Sequence, residues 1–269
     1  MNNVFKILRF TVADQMKHKS FYFLLVISIL FILMMRGCYQ GEYIVNGKQI
    51  NNVTLAFYVS KIVFQIIAVG MFFMVSIFSM KIFSRDQTDG SMILFLSRPV
   101  FRWQYVLGRI AGTWALFLVF MFLLHLTIFM TVWVKTGEPI SGYLTASLVC
   151  SINLLFVIVC VCLLSLFMPD FISAVFTMGI LLVGFISDGG YQILNNEIAK
   201  STVPSIANTK LALWRVLYPK VFMVQAYADS IISQSQLSSM GPFHPMLNLS
   251  VFILLIMILL LLSFNKKEI

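Results

Sequence analysis

The residues with chemistry to offer are gathered in one short stretch. It runs Arg85-Asp86-Gln87-Thr88-Asp89-Gly90-Ser91, then Met92 to Ser97, then Arg98-Pro99-Val100-Phe101-Arg102. It is polar and turn-rich, whereas nearly everything around it is apolar enough to dissolve in lipid. Such a stretch, held on the soluble side of a membrane, suits contact with a soluble partner. The chemistry it offers is recognition, because the signatures of catalysis are missing from the chain. No G-x-x-x-x-G-K-[ST] occurs: the only Gly-Lys pair is Gly47-Lys48, followed by Gln49 and lacking the earlier glycine. The chain therefore does not bind and hydrolyse ATP by a P-loop. H-E-x-x-H, G-x-S-x-G and EF-hand patterns are also absent, and His18, His125 and His244 lie far apart in sequence, so no metal site is assembled from them.

The local pattern predicts how the stretch is built. Ser84-x-x-Gln87 has capping-box form, and Gly90 breaks any helix running into it from the preceding apolar run. Ser91 can cap a second short helix, Met92 to Ser97, which Pro99 terminates. Met92, Ile93, Phe95 and Leu96 are more apolar than a solvated loop needs. They suit a socket on another protein, or equally a bilayer surface or this chain's own helices.

The elements that must position this stretch are membrane spans. Of 269 residues 60% are hydrophobic and only 11% charged, and the mean hydropathy is +0.94. A soluble domain carries roughly 25% charged residues. Six apolar runs, approximately 20–36, 59–81, 106–133, 146–168, 171–187 and 246–264, are long enough for a ~30 Å hydrocarbon core. The expectation is an all-α polytopic membrane protein, one domain over residues 1–269. Pro169 and Asp170 place a tight surface turn between the fourth and fifth runs. The first run starts only at Phe21 and has no cleavage pattern after it, so it is expected to stay as a span.

Orientation follows from Lys and Arg in short loops. Lys6, Arg9, Lys17, Lys19, Lys81, Arg85, Arg98, Arg102, Arg109, Lys266 and Lys267 fall on one side, eleven of the nineteen basic residues. Both termini and the 82–104 loop are therefore expected in the cytoplasm. The net charge of +9 meets lipid head groups and sets topology; no compact basic domain exists to bind nucleic acid. Residues 1–19 read as an interfacial helix, with Phe5, Leu8, Val12 and Met16 on its apolar face and Lys6 and Lys17 nearly opposite. The long outer loop, about 188–245, is first polar and then apolar and aromatic from Leu211 to Ile232. Pro219 splits that apolar part into pieces too short to span, which predicts re-entrant or interfacial helices.

A few polar groups lie inside the runs. His125 is the deepest, read as a neutral histidine bonded to a neighbouring helix, with Asn153 and Gln65 treated alike. Lys61 lies near an outer end, where it can snorkel. Cys150, Cys160 and Cys162 behave as small hydrophobes, and no disulfide framework or zinc site is implied.

The stretch from Arg85 to Arg109 resembles the first cytoplasmic loop of ABC-2 type transporter permeases. That loop reads approximately Arg-Glu, three variable residues, Gly-Thr, an apolar run, Ser-x-Pro-Val-Ser-Arg, then Tyr-x-x-Gly-Lys. Here stand Arg85-Asp86, Gly90-Ser91, Met92 to Leu96, Ser97-Arg98-Pro99-Val100-Phe101-Arg102 and Tyr105-Val106-Leu107-Gly108-Arg109. Asp for Glu, Ser for Thr, Phe for Ser and Arg for Lys are departures that spare the Gly, the Pro and the basic pair. The layout of the whole chain is similar too. The resemblance implies the membrane subunit of an ABC exporter, not itself an enzyme and with no cofactor in this chain. ATP and Mg are then held by a separate cytoplasmic ATPase subunit, and a second permease subunit completes a pair, with a homodimer expected. It implies Asp86, Asp89, Gly90, Ser91, Met92, Leu96, Arg98 and Arg102 as the ATPase-coupling surface. A second expectation within the family is transmission of ATP-driven motion to an outer-side partner protein, without solute movement. Location in a bacterial inner membrane follows from either. The substrate is not legible.

Overall fold

The computed structural model describes residues 2–38, 44–45, 48–49, 52–88, 90, 100–194, 218–235 and 244–266. Nearly all of them are helical: α1 (Asn2–Met16), α2 (Lys19–Cys38), α3 (Asn52–Ser79), α4 (Ile82–Thr88), α5 (Arg102–Thr136), α6 (Tyr143–Leu164), α7 (Asp170–Leu194), α8 (Val221–Ser233) and α9 (Pro245–Lys266). Between α2 and α3 a two-residue antiparallel ladder pairs β1 (Ile44–Val45) with β2 (Lys48–Gln49). The fold is all-α, as expected. Five stretches, namely α3 continued through α4, α5, α6, α7 and α9, are each long and apolar enough to cross a membrane. The bent pair of α1 and α2 makes a sixth candidate if it is taken as one span.

The helix ends have local causes. At the start of α5 the Phe101 N–H donates to Gln104 Oε1 at 3.3 Å. At its end Gly137 adopts φ 74°, and its N–H donates to the Trp133 carbonyl, a left-handed glycine cap. The expected break at Gly90 is present: α4 stops at Thr88 and Gly90 has φ 67°.

α6 is the central helix. Its most apolar window is 67% buried, against 22–50% in the other four candidates, and it packs against α3, α5, α7, α8 and α9. It carries no charged residue, which its position demands, since an unpaired charge there would be costly. Cys150, Cys160 and Cys162 are buried free thiols along it. The periphery is apolar in the opposite sense: Phe171, Val175, Leu182 and Ile186 of α7 and Leu254 and Ile258 of α9 point outward, as helices immersed in lipid require.

α1 departs from expectation in its packed face. Phe5 is 67% exposed and Met16 46%, whereas Ile7, Thr11 and Gln15 are buried. The reason lies on α5. A Cβ at Gly108 would stand 2.7 Å from Ile7 Cγ2, and one at Gly112 would stand 2.7 Å from Thr11 Cβ. Two glycines one turn apart let the helices approach closely, and the i, i+4, i+8 row of α1 fills that gap.

α8 starts part-way down the bundle. The Val221 carbonyl accepts from Asn153 Nδ2 at 3.2 Å, and Asn153 lies about 15 Å along α6 from its first residue. At its other end Gln234 Nε2 donates to Ser141 Oγ, just ahead of α6. Gly142, at φ 80°, has no room for a side chain, because a Cβ would meet the Ile231 carbonyl oxygen at 2.6 Å. Just before α8, the Tyr218 hydroxyl donates to the Ile180 carbonyl of α7. The companion segment expected before Pro219 lies outside the described residues.

Candidate functional site

The end of the bundle that carries Asn2 and Lys266 holds the densest polar cluster, and it surrounds the root of the 85–102 stretch. Asp86, in the last turn of α4, is only 5% exposed and Arg109 of α5 only 3%. Arg109 Nη2 meets Asp86 Oδ1 at 2.5 Å, and the Tyr105 hydroxyl donates to the other carboxylate oxygen. Arg109 Nη1 also lies 3.8 Å from Asp14 of α1, and Arg85 Nη2 reaches that same carboxylate at 3.1 Å. A buried charge is tolerated only when paired and hydrogen-bonded, and each charge in this knot has an opposite partner. The Phe10 and Tyr105 rings lie 5.3 and 5.8 Å from the Arg109 guanidinium carbon, within cation–π range. One turn further along α5, Thr113 Oγ1 accepts from Gln15 Nε2 at 2.7 Å.

Other contacts fix α4 to more distant helices. Ser84 Oγ donates to Asp170 Oδ2 at the start of α7, so the serine expected in a capping box bonds across the bundle. The Phe83 ring packs 5.3 Å from Phe264 of α9 and 6.4 Å from Tyr105. Arg102, at the start of α5, donates from Nη1 to the Asn265 carbonyl at 3.0 Å. The helix leading into the polar stretch is thus held by α1, α5, α7 and α9.

Of the residues expected to form one surface, the structure describes Asp86, Gly90 and Arg102. Asp86 is turned inward, Gly90 is the break itself, and Arg102 braces α5 against α9. Asp89, Ser91, Met92, Leu96 and Arg98, with the short helix expected over Met92 to Ser97, lie outside the described residues. Asp14, Gln15, Tyr105 and Thr113 were not expected to matter. For Tyr105 and Thr113 the signal is spacing: Tyr105, Arg109 and Thr113 recur every four residues along one face of α5.

The opposite end is built differently. Lys61 of α3 pairs with Asp229 of α8 at 2.8 Å, both about 30% exposed. The pair borders an open cleft of about 450 Å³ that Gln65, Gln225, Phe185 and Phe222 also line. Lys61 therefore reaches a carboxylate as well as the bundle surface. His125 is buried, with Nδ1 2.8 Å from Ser147 Oγ of α6 and its ring stacked 4.3 Å from that of Phe64, the bonded neutral arrangement expected of it.

Comparison with known proteins decides the class. The profile of the ABC-2 family transporter proteins matches residues 7–269. The chain belongs to the ABC-2 transporter family. No match is found among curated proteins. With its apolar helices, membership makes this ABC-2 protein a multi-pass membrane protein and a membrane component of a transporter. The polar knot at Asp86 and Arg109 sits within the matched region, where α4 leads into residues 89–99.

Proposed function

We propose that this ABC-2 family protein is the permease subunit of an ATP-driven exporter. A separate ABC ATPase subunit binds ATP and Mg, and two permease copies form the membrane part. Both termini and the 85–102 stretch face the cytoplasm of a bacterial cell, and the ATPase receives that stretch. Asp89, Ser91, Met92, Leu96 and Arg98 form the contact surface, while Gly90 frees them from α4. Asp86 and Arg102 act behind that surface, as the groups that secure its two ends. At the outer face α8 is the returning half of a re-entrant segment, a reading supported by its start about halfway along α6.

The observation that carries this reading is the fixing of α4 to α1, α5, α7 and α9. A force delivered to α4 or to the start of α5 passes into the bundle, because both are anchored in it. It moves packed helices as bodies and biases one packing of the permease pair over another. The test is an Asp89→Lys or a Met92→Glu change in the protein expressed with its ATPase. The expected outcome is loss of ATPase association and of ATP-dependent activity, with the permease still folded in the membrane. If both variants keep association and activity at the native level, the coupling surface lies elsewhere.

A further inference from the structure

Two cavities border the same row of residues along α3, from Gly70 to Lys81. The lower one, about 120 Å³, opens between the α1–α2 turn and the junction of α3 and α4, and is bordered by His18, Lys81 and Arg85 together with Asp14, Asp86 and Arg109. Asp86 is matched by Arg109, and Asp14 is shared by Arg85 and Arg109. The lining therefore carries one positive charge in excess, with His18 beside it, and Lys81 is exposed at the rim. Apart from Gln15, its remaining wall, including Ile77 and Phe78, is apolar.

The upper cavity, about 140 Å³, is an apolar groove between α2 and α3 with α5 as its floor, lined by Ile27, Phe31, Ile67, Gly70, Met74 and Leu124. α2 packs only lightly on both α3 and α5, which leaves the space open. Gly70 deepens it, since a Cβ there would meet nothing within 4 Å. Both spaces border one row of α3: Met74 of the groove lies one turn from Ile77 and Phe78 of the cleft. From Lys81 to Gly70 along α3 is about 16 Å, and from His18 to Phe31 along α2 about 20 Å. Half of a ~30 Å hydrocarbon core is about 15 Å, so the groove has the depth of one leaflet.

We propose that the protein binds an anionic phospholipid in this position, its phosphate in the cleft at Lys81, Arg85 and His18 and one acyl chain in the groove between α2 and α3. Charge complementarity selects the head group, because a basic pocket between helices at the membrane surface favours anionic lipids. The apolar groove one turn further along α3 selects a lipid over a soluble phosphate. The bound lipid fills the gap beside α2 and links the α1–α2 turn to the root of α4.

The test is lipid retention by the full-length protein, purified in mild detergent and measured by native mass spectrometry after exchange with phosphatidylglycerol and phosphatidylcholine of equal chain length. The native protein is expected to retain phosphatidylglycerol preferentially. Lys81→Gln is expected to lower that retention about fivefold and leave phosphatidylcholine unchanged. Gly70→Leu, placed where a side chain has room, is expected to lower retention of both lipids by filling the groove. Lys135→Gln, an exposed change at the far end of α5, is expected to do nothing. Four results would overturn the site: equal retention of the two lipids by the native protein, the same effect from Lys81→Gln as from Lys135→Gln, full retention by Gly70→Leu, or displacement of the lipid by millimolar inorganic phosphate.

Discussion

The two ends of the bundle are held by different kinds of contact. At the end that carries Asn2 and Lys266, the central tie is the buried ion pair of Asp86 with Arg109, with the partly exposed Asp14 carboxylate beside it. From the middle of the bundle to the other end they are neutral amides and hydroxyls, Asn153 on the Val221 carbonyl and the Tyr143 hydroxyl on the Ser60 carbonyl, with a half-open pair at Lys61 and Asp229. The contrast separates two demands. A buried ion pair adds little net stability but penalises any state that separates it, so it permits few arrangements. Neutral hydrogen bonds can exchange partners at small cost, so the α8 end can repack more freely.

Asp86→Ala tests this contrast most severely. It leaves Arg109 and the Tyr105 hydroxyl facing a void, and the expected loss is about 3–5 kcal/mol, read as a lowered melting temperature of the purified protein. A loss no larger than that from Lys61→Met would end the distinction between the two ends. Gly112→Leu comes next. Its side chain meets Thr11 Cβ at 2.7 Å and the Leu8 carbonyl oxygen at 2.9 Å, so α1 must move off α5. The expected cost is about 1–3 kcal/mol, with faster amide exchange confined to residues 4–15. Asn153→Leu removes the donor to the Val221 carbonyl, with an expected loss of about 1–2 kcal/mol and faster exchange in α8 alone. Lys61→Met is expected to cost least, about 0–1 kcal/mol, and that difference should shrink further in high salt. If salt leaves it unchanged, the pair is less open than its exposure indicates.

The spans were legible because crossing lipid needs about 20 consecutive apolar residues, and such runs survive any arrangement in space. The turn at Pro169-Asp170 and the break at Gly90 were legible for a similar local reason: each depends on one residue's backbone. The packed face of α1 was not. Phe5 and Met16 make the more apolar side, yet Ile7, Thr11 and Gln15 are buried because Gly108 and Gly112 of a helix about 100 residues away leave room for them. The Asp86–Arg109 pair was hidden for the same reason. Both residues were noted as charges beside a loop, but whether a charge faces solvent or another helix depends on how α4 and α5 pack, and that has no period along the chain. Of the candidate site, the break and its flanks could be read, whereas the inward turn of Asp86 could not.

α5 has 35 residues, Arg102 to Thr136, without a proline, and so extends about 52 Å. It carries Arg109 near one extremity and ends at the Gly137 cap, beside a cavity that Thr136 shares with Ser233 and Gln234 at the end of α8. A tilt of about 5° pivoting at Arg109 displaces the Gly137 extremity by roughly 4 Å over the intervening helix. A rotation too slight to separate the Asp86–Arg109 pair is thereby amplified, forty ångströms away by the same measure, into a displacement wider than a hydrogen bond.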